Sequence, residues 1–269
     1  MGRYNKRGLI LAVDMGNTNI VIGCVDEDNV CFEERISTDH SKTEIEYAVL
    51  FKTVLEIHKI NAMDIDGAII SSVVPPLITV ISEALCKVTG IKPLIVGPGL
   101  KSGLNIMMDQ PRQMGSDLIV DAVAAIKEYG APLIVIDMGT ATTFSVIDEN
   151  KNYIGGAILP GIKVSIESLV AKAAMLQRIS FEAPKHVIGK NTNDCMQSGT
   201  IYGNAAGIDG MVLRMKDEMR GHYGMTKEIK VVATGGLASV IVPHCKTDII
   251  VDNELLLKGL KIIYDKNVE

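Results

Sequence analysis

The chain has 269 residues, a length that suits two small lobes sharing a cleft better than one domain or two independent ones. Its net charge is −5 with no basic block, which leaves no basis for nucleic-acid binding. Hydrophobic residues make up 47% of the chain and Trp is absent, so the core is expected to be aliphatic, built of strands covered on both faces by helices.

In chain order, Met1-Gly2-Arg3-Tyr4-Asn5-Lys6-Arg7 leads into an apolar run that stops at Asp14. That run is too short for a translocated segment and has no cleavage site. Lys6 stands where a myristoylation signal needs Ser or Thr. Residues 9–13, 20–25 and 30–37 read as a three-stranded meander. A helix follows over about 43–58, with Ile45, Val49, Phe51, Leu55 and Ile57 as an imperfect apolar stripe. Next come a strand at 67–72, a helix at 77–88 after Pro75-Pro76, and a strand at 92–96. The longest apolar stretch, from Ala68 to Ile81, is broken by Ser71-Ser72 and the two prolines, so no membrane span is expected. Residues 97–114 are rich in Gly and Pro and read as a long loop, of the kind that is usually functional or mobile.

A helix over 116–129 then connects to a second half that repeats the scheme. Strands are expected at 133–137, 142–148 and 153–159, then a helix from 161 to 174 and a long one from 194 to 222. A strand at 229–233 ends at Thr234-Gly235-Gly236 before another turn, followed by a strand at 248–251 and a helix at 254–264. The expected division is a first lobe of residues 1–117 and a second of 118–269. Its main support is the shared order of three strands, helix, strand, helix, strand. The five cysteines and five histidines are scattered, without the spacing of a disulfide framework or a zinc site. That usage fits a reducing cytosol.

Two segments half a chain apart look alike: Asp14-Met15-Gly16-Asn17-Thr18-Asn19 and Asp137-Met138-Gly139-Thr140-Ala141-Thr142-Thr143. Each lies between two β-type runs. A single Asp-x-Gly after a strand is ordinarily just a turn; two copies in the same context ask for a further reason. Turns of Gly, Thr and Asn present backbone N–H groups and hydroxyls that hold phosphate oxygens, and an Asp at the mouth of each can hold a nucleotide's metal ion. Two such turns facing each other would grip ATP. Adjacent Gly235 and Gly236 let the backbone approach a flat ring, which suits the adenosine end. Gly115-Ser116-Asp117 opens the connecting helix, where Ser and Asp are favoured caps. A carboxylate there is also placed to take a proton from an attacking hydroxyl. Asp121, one turn on, either supports Asp117 or balances local charge.

Together these segments, with Gly155-Gly156-Ala157-Ile158-Leu159-Pro160-Gly161, Gly189-Lys190-Asn191-Thr192 and Met196-Gln197-Ser198-Gly199, resemble the type III pantothenate kinases, in order and spacing over essentially the whole chain. These belong to the acetate kinase, sugar kinase, heat-shock cognate and actin superfamily. The resemblance implies an α/β fold of two duplicated actin-like (ribonuclease H-like) lobes, each a mixed sheet with flanking helices, around a nucleotide cleft. It implies ATP-dependent phosphorylation of pantothenate, the first step of coenzyme A biosynthesis, by a cytoplasmic homodimer. By the same resemblance Asp14, Met15, Gly16, Asn17, Thr18, Asn19, Ile20 and Val21 form the first phosphate loop. Thr140, and by position Thr234, Gly235 and Gly236, touch ATP, with magnesium as its companion. Asp137 holds a monovalent cation, potassium or ammonium. Gly115, Ser116, Asp117 and Leu118 form the pantothenate-binding segment, Asp117 is the general base, and Thr192 is a further substrate contact.

Two positions depart from the pattern. The family usually has Arg after the base, where this chain has Leu118, and often Tyr where this chain has Met108. Arg makes paired bonds to a carboxylate and Leu cannot. A kinase for another small hydroxylated metabolite therefore stays open beside the leading reading. So, by resemblance to relatives first described as accessory factors for transcription, does a nucleotide-binding regulator of the same fold with little catalysis. The presence of Asp117 favours an enzyme.

Overall fold

The computed structural model describes residues 8–27 and 29–268; the reading of residues 1–7 lies outside them. The chain forms two compact units. The first comprises the described residues up to Gly103, Gln110–Ala124, and those from Glu254 onward; the second comprises Leu104–Asp109 and Ala125–Asn253.

In the first unit β1 (Ile10–Met15), β2 (Asn19–Val25) and β3 (Val30–Ser37) form the antiparallel meander. The helix α1 (Glu44–Ile57) follows, then β4 (Gly67–Ser72), α2 (Ile78–Thr89) and the short β5 (Leu94–Ile95). The sheet order is β3-β2-β1-β4-β5, with β4 parallel to β1 and β5 parallel to β4. Glu46 accepts the Thr43 N–H at 2.8 Å and so closes the start of α1, while Gly90, at φ 73°, ends α2. The buried face of α1 is Tyr47, Ala48, Phe51, Val54 and Leu55. Ile45, Val49 and Ile57 point to solvent, which corrects the expected stripe. The core spacing runs i, i+1, i+4, i+7, i+8, and Ile45 and Val49 lie off that face.

The second unit contains β7 (Leu133–Met138), β8 (Ala141–Ile147), β9 (Asn152–Pro160), α4 (Ile162–Lys172) and α5 (Thr192–Gly221). It continues with β10 (Lys230–Thr234), a one-turn α6 (Ala238–Ile241) and β11 (Ile250–Val251). Its sheet order is β11-β10-β7-β8-β9-β6, where β6 is Asn105–Ile106. Apart from β6, this is the first sheet's order and strand sense repeated, so the duplication expected from the two Asp-Met-Gly segments extends through five strands. The helix α5 begins at Thr192, ahead of expectation, because Asn191 accepts the Asp194 N–H at 2.9 Å.

Two expectations give way to long-range contacts. The segment 97–114 is not a structureless loop. It contains β6, parallel to β9, and a helical turn at Pro111–Gln113. Its first part is held by the last helix, α7 (Leu255–Val268): Asn267 pairs with both the N–H and the carbonyl of Lys101, at 3.0 and 2.9 Å, and Lys266 Nζ donates to the Ser102 carbonyl at 3.0 Å. The division also departs from the expected 117/118 boundary. The helix α3 (Ser116–Tyr129) runs on to Ala124 before the second unit begins, and α7 packs on β1, β2 and β4 of the first. There α7 buries Leu255, Leu257, Leu260 and Ile263 completely. At about 1.5–3 kcal/mol for each such side chain, those contacts outweigh sequence proximity.

Candidate functional site

In the first unit the β1–β2 turn is closed by the Gly16 N–H donating to the Asn19 carbonyl at 3.0 Å. It is braced from β3's end by Thr38, whose N–H donates to the Thr18 carbonyl and whose hydroxyl donates to the Gly16 carbonyl at 2.7 Å. Asn17, Thr18 and Asn19 are exposed at its tip and Asp14 is half-buried behind them. Met15, Ile20 and Val21, expected in the phosphate loop, turn their side chains into the core. The hairpin's base is covered on both faces, so only the backbone of these three residues remains to face a ligand.

The α3 start lies beside β4, which is in parallel register with β1: Asp14 opposite Ser71, Met15 opposite Ser72. This unit therefore brings together the first loop and Gly115-Ser116-Asp117, segments about a hundred residues apart in sequence. Asp117 is half-buried, and its Oδ1 accepts the Leu118 N–H at 2.9 Å. Burial pushes its carboxyl above the ordinary range, against the lowering effect of N–H bonds from Leu118 and its own backbone. A Cβ on Gly115 would collide with Asp117 Oδ1, so a side chain there would displace the carboxylate. Ser116 differs from expectation. Its hydroxyl is buried and turned onto β4, so its side chain is not available to a substrate. Leu118 is half-buried, and Arg112 is exposed in the preceding helical turn.

In the second unit the β7–β8 turn is closed by the Gly139 N–H to the Ala141 carbonyl at 3.0 Å, and Gly161 N–H donates to the Thr140 carbonyl at 3.1 Å. Gly161 sits so close to the Gly139 and Thr140 carbonyls that no side chain fits. The parallel pairing of β10 with β7 sets Thr234 opposite Asp137. Gly235 follows with φ +92°, where a Cβ would strike Asp137 Oδ1 and stand 2.6 Å from the Met138 nitrogen. Asp137, Thr140 and the Thr234-Gly235-Gly236 turn thus form one cluster. Gly236 is exposed and Thr234 buried, and the expected turn, closed by the Ala238 N–H donating to the Gly235 carbonyl at 3.1 Å, leads into α6. The hydroxyls of Thr142 and Thr143 are buried and make no hydrogen bond among the described residues. They belong to the second motif but were not singled out in sequence, because a Thr in a strand is as often a packing residue as a polar one. Thr192 is exposed as the first residue of α5.

The family model described as type III pantothenate kinase matches residues 10–214. A protein of Geobacillus sp. with that name is 49% identical over 97% of this chain and 99% of its own length. One of Exiguobacterium sp., also so named, is 47% identical over 96% and 99%. The chain belongs to the type III pantothenate kinase family. Among solved structures, component A of the (R)-2-hydroxyglutaryl-CoA dehydratase of Acidaminococcus fermentans superposes with a TM-score of 0.55 at 14% identity, covering 97% of this chain and all of that one. The activator of the 2-hydroxyisocaproyl-CoA dehydratase of Clostridium difficile gives 0.52 at 13%, covering 97% and 96%. At such identities the likeness concerns the fold: two mixed sheets with flanking helices.

For a type III pantothenate kinase the metal question turns on the donor set. Among the described residues no group of three or more His, Cys, Asp or Glu could hold an ion by itself. Magnesium accompanying a nucleotide does not need one, since one or two carboxylates and phosphate oxygens suffice. Asp14 and Asp137, each at a strand end beside a turn of backbone and hydroxyl groups, fit that pattern. Among the described residues no helix is long and apolar enough to cross a membrane.

Proposed function

We infer that this chain transfers the γ-phosphoryl group of ATP to the primary hydroxyl of pantothenate, opening coenzyme A synthesis. The observation that carries the reading is the family match across nearly the whole chain at 46–49% identity. The site's chemistry supports it. Phosphoryl transfer passes through a loose transition state in which positioning and charge neutralisation dominate. Exposed N–H and hydroxyl groups of Asn17, Thr18, Asn19 and Thr140 take phosphate oxygens, and the Gly235-Gly236 backbone lies against the adenosine. Magnesium, with Asp14 or Asp137, and a monovalent cation on Asp137 supply positive charge when bound. Asp117 orients the attacking hydroxyl and accepts its proton. Gly115 and Leu118 line the pantothenate side, and Thr192 adds a contact. The enzyme works in the cytoplasm as a homodimer, without nucleic acid.

The test is a coupled assay of ADP release with and without pantothenate in potassium buffer. Pantothenate-dependent turnover, with 4'-phosphopantothenate as product, is the expected result. ATP binding without turnover would favour a regulator. Leu118 in place of Arg is the feature that favours another hydroxylated substrate, and turnover only with such a compound would establish that reading instead.

A further inference from the structure

Gly115, the residue before α3, has no side chain with which to cap the helix. The helix start is held by Ser116 instead. Its Oγ donates to the Ser72 carbonyl at 3.0 Å, accepts the Ser72 N–H at 3.0 Å and accepts the Ser71 hydroxyl at 2.9 Å. A hydroxyl has one proton and two lone pairs, so these three bonds fill its capacity. Ser116 and Ser71 are 8% and 0% exposed, which removes water as a competitor for the same bonds. Ser71 and Ser72 end β4 opposite Asp14 and Met15, and the next residue extends that ladder, Val73 N–H donating to the Met15 carbonyl at 3.0 Å. The first turn of α3 is thereby tied to the strand that flanks the first loop, at the level of Asp14.

We propose that Ser116 is a positioning residue for phosphoryl transfer: through its buried hydroxyl it fixes Asp117 against the first phosphate loop. The proposal rests on the reading of Asp117 as the base. The physical case is geometric. Asp117 follows Ser116 directly, and its carboxylate is confined between the Leu118 N–H and Gly115. The position of the carboxylate is therefore the position of the helix start. Without the Ser116 bonds, α3's first turn loses the three hydrogen bonds that tie it to the end of β4. A shift of about 1 Å in a reacting group costs on the order of a hundredfold in rate.

The test is a double-mutant cycle of Ser116→Ala and Asp117→Asn, assayed with saturating ATP and pantothenate well below each variant's melting temperature. Ser116→Ala is expected to lower kcat about tenfold to a hundredfold while leaving the KM for ATP near that of the wild type. In the Asp117→Asn background the same change should cost nothing further, because residues that act as one unit are not additive. A merely structural serine would lower the melting temperature in both backgrounds without this split. If Ser116→Ala does not fold, Ser71→Ala removes one of the three bonds and takes its place in the cycle, with a smaller loss of kcat expected. A kcat for the serine variant within about twofold of wild type, or a loss that persists undiminished without Asp117, overturns the proposal. Absence of wild-type turnover with pantothenate is a separate result, and it would overturn the reading on which the proposal rests.

Discussion

Replacing Asp117 by Asn removes a proton acceptor while leaving its local hydrogen bond in place. The amide oxygen can still accept the Leu118 N–H that Oδ1 accepts at 2.9 Å, and the side chain keeps its size beside Gly115. Folding should therefore change little. A charge at a helix start is worth about 0.3–1 kcal/mol, and relief from burying that charge acts in the opposite direction. Catalysis should change greatly: loss of a general base costs roughly a hundredfold to ten-thousandfold, or about 2.7–5.4 kcal/mol at 1.36 per tenfold. The assay is kcat with saturating pantothenate, beside a calorimetric ATP affinity and a melting curve, the last two expected near wild type. The pH profile supplies an independent check. As the proposed base Asp117 would act as the carboxylate, and burial raises its pKa. On lowering the pH, kcat should begin to fall above the ordinary Asp value of about 3.9. Asp117→Asn should lack that limb. An Asn variant with kcat within about threefold of wild type would refute the assignment and leave Asp117 as a helix-capping residue.

Activity should need potassium or ammonium and be weak in sodium alone, because Asp137 is assigned as the cation's ligand; equal initial rates in the two salts at fixed ionic strength would count against it. Leu118→Arg should lower the KM for pantothenate by about tenfold or more, the worth of one charge-assisted hydrogen bond of roughly 1.5–3 kcal/mol, with the ATP constant unchanged. If Arg112, exposed in the same segment, already serves the carboxylate, Arg112→Ala should raise that KM instead, and steady-state kinetics of both variants decide between them. Gly235→Ala should weaken ATP binding and lower the melting temperature. Its φ of +92° is strained for any residue with a Cβ, and that Cβ would strike Asp137 Oδ1; the strain alone costs about 1–2 kcal/mol. An unaltered ATP affinity by titration would show that the turn does not meet the nucleotide.

Much of this molecule was legible in the order of its residues. Continuous apolar β-type runs, the punctuating glycines and the repeated Asp-Met-Gly turns are local signals, and they placed β1, β2, β7, β8 and the long helices with small errors at their ends. The same local logic located Asp117 at a helix start and Thr234-Gly235-Gly236 after a strand. What it could not supply is which side chains of a motif face inward. Met15, Ile20 and Val21 share a loop motif with Asn17 and Thr18, yet the covered sheet takes the first three into the core and leaves the last two exposed. Nor could it show that Ser116 meets Ser71 across 45 positions, that Asn267 pairs with Lys101 across 166, or that the chain's last helix completes its first unit. Those contacts depend on the end of β4 meeting the start of α3 and on the loop after β5 meeting α7, and no window of sequence contains both partners of either. The sequence alone determined most of the elements, the duplication and the chemistry each motif could carry. Tertiary structure decided which atoms of those motifs are left to perform it, because burial and long-range hydrogen bonds are properties of the packed chain.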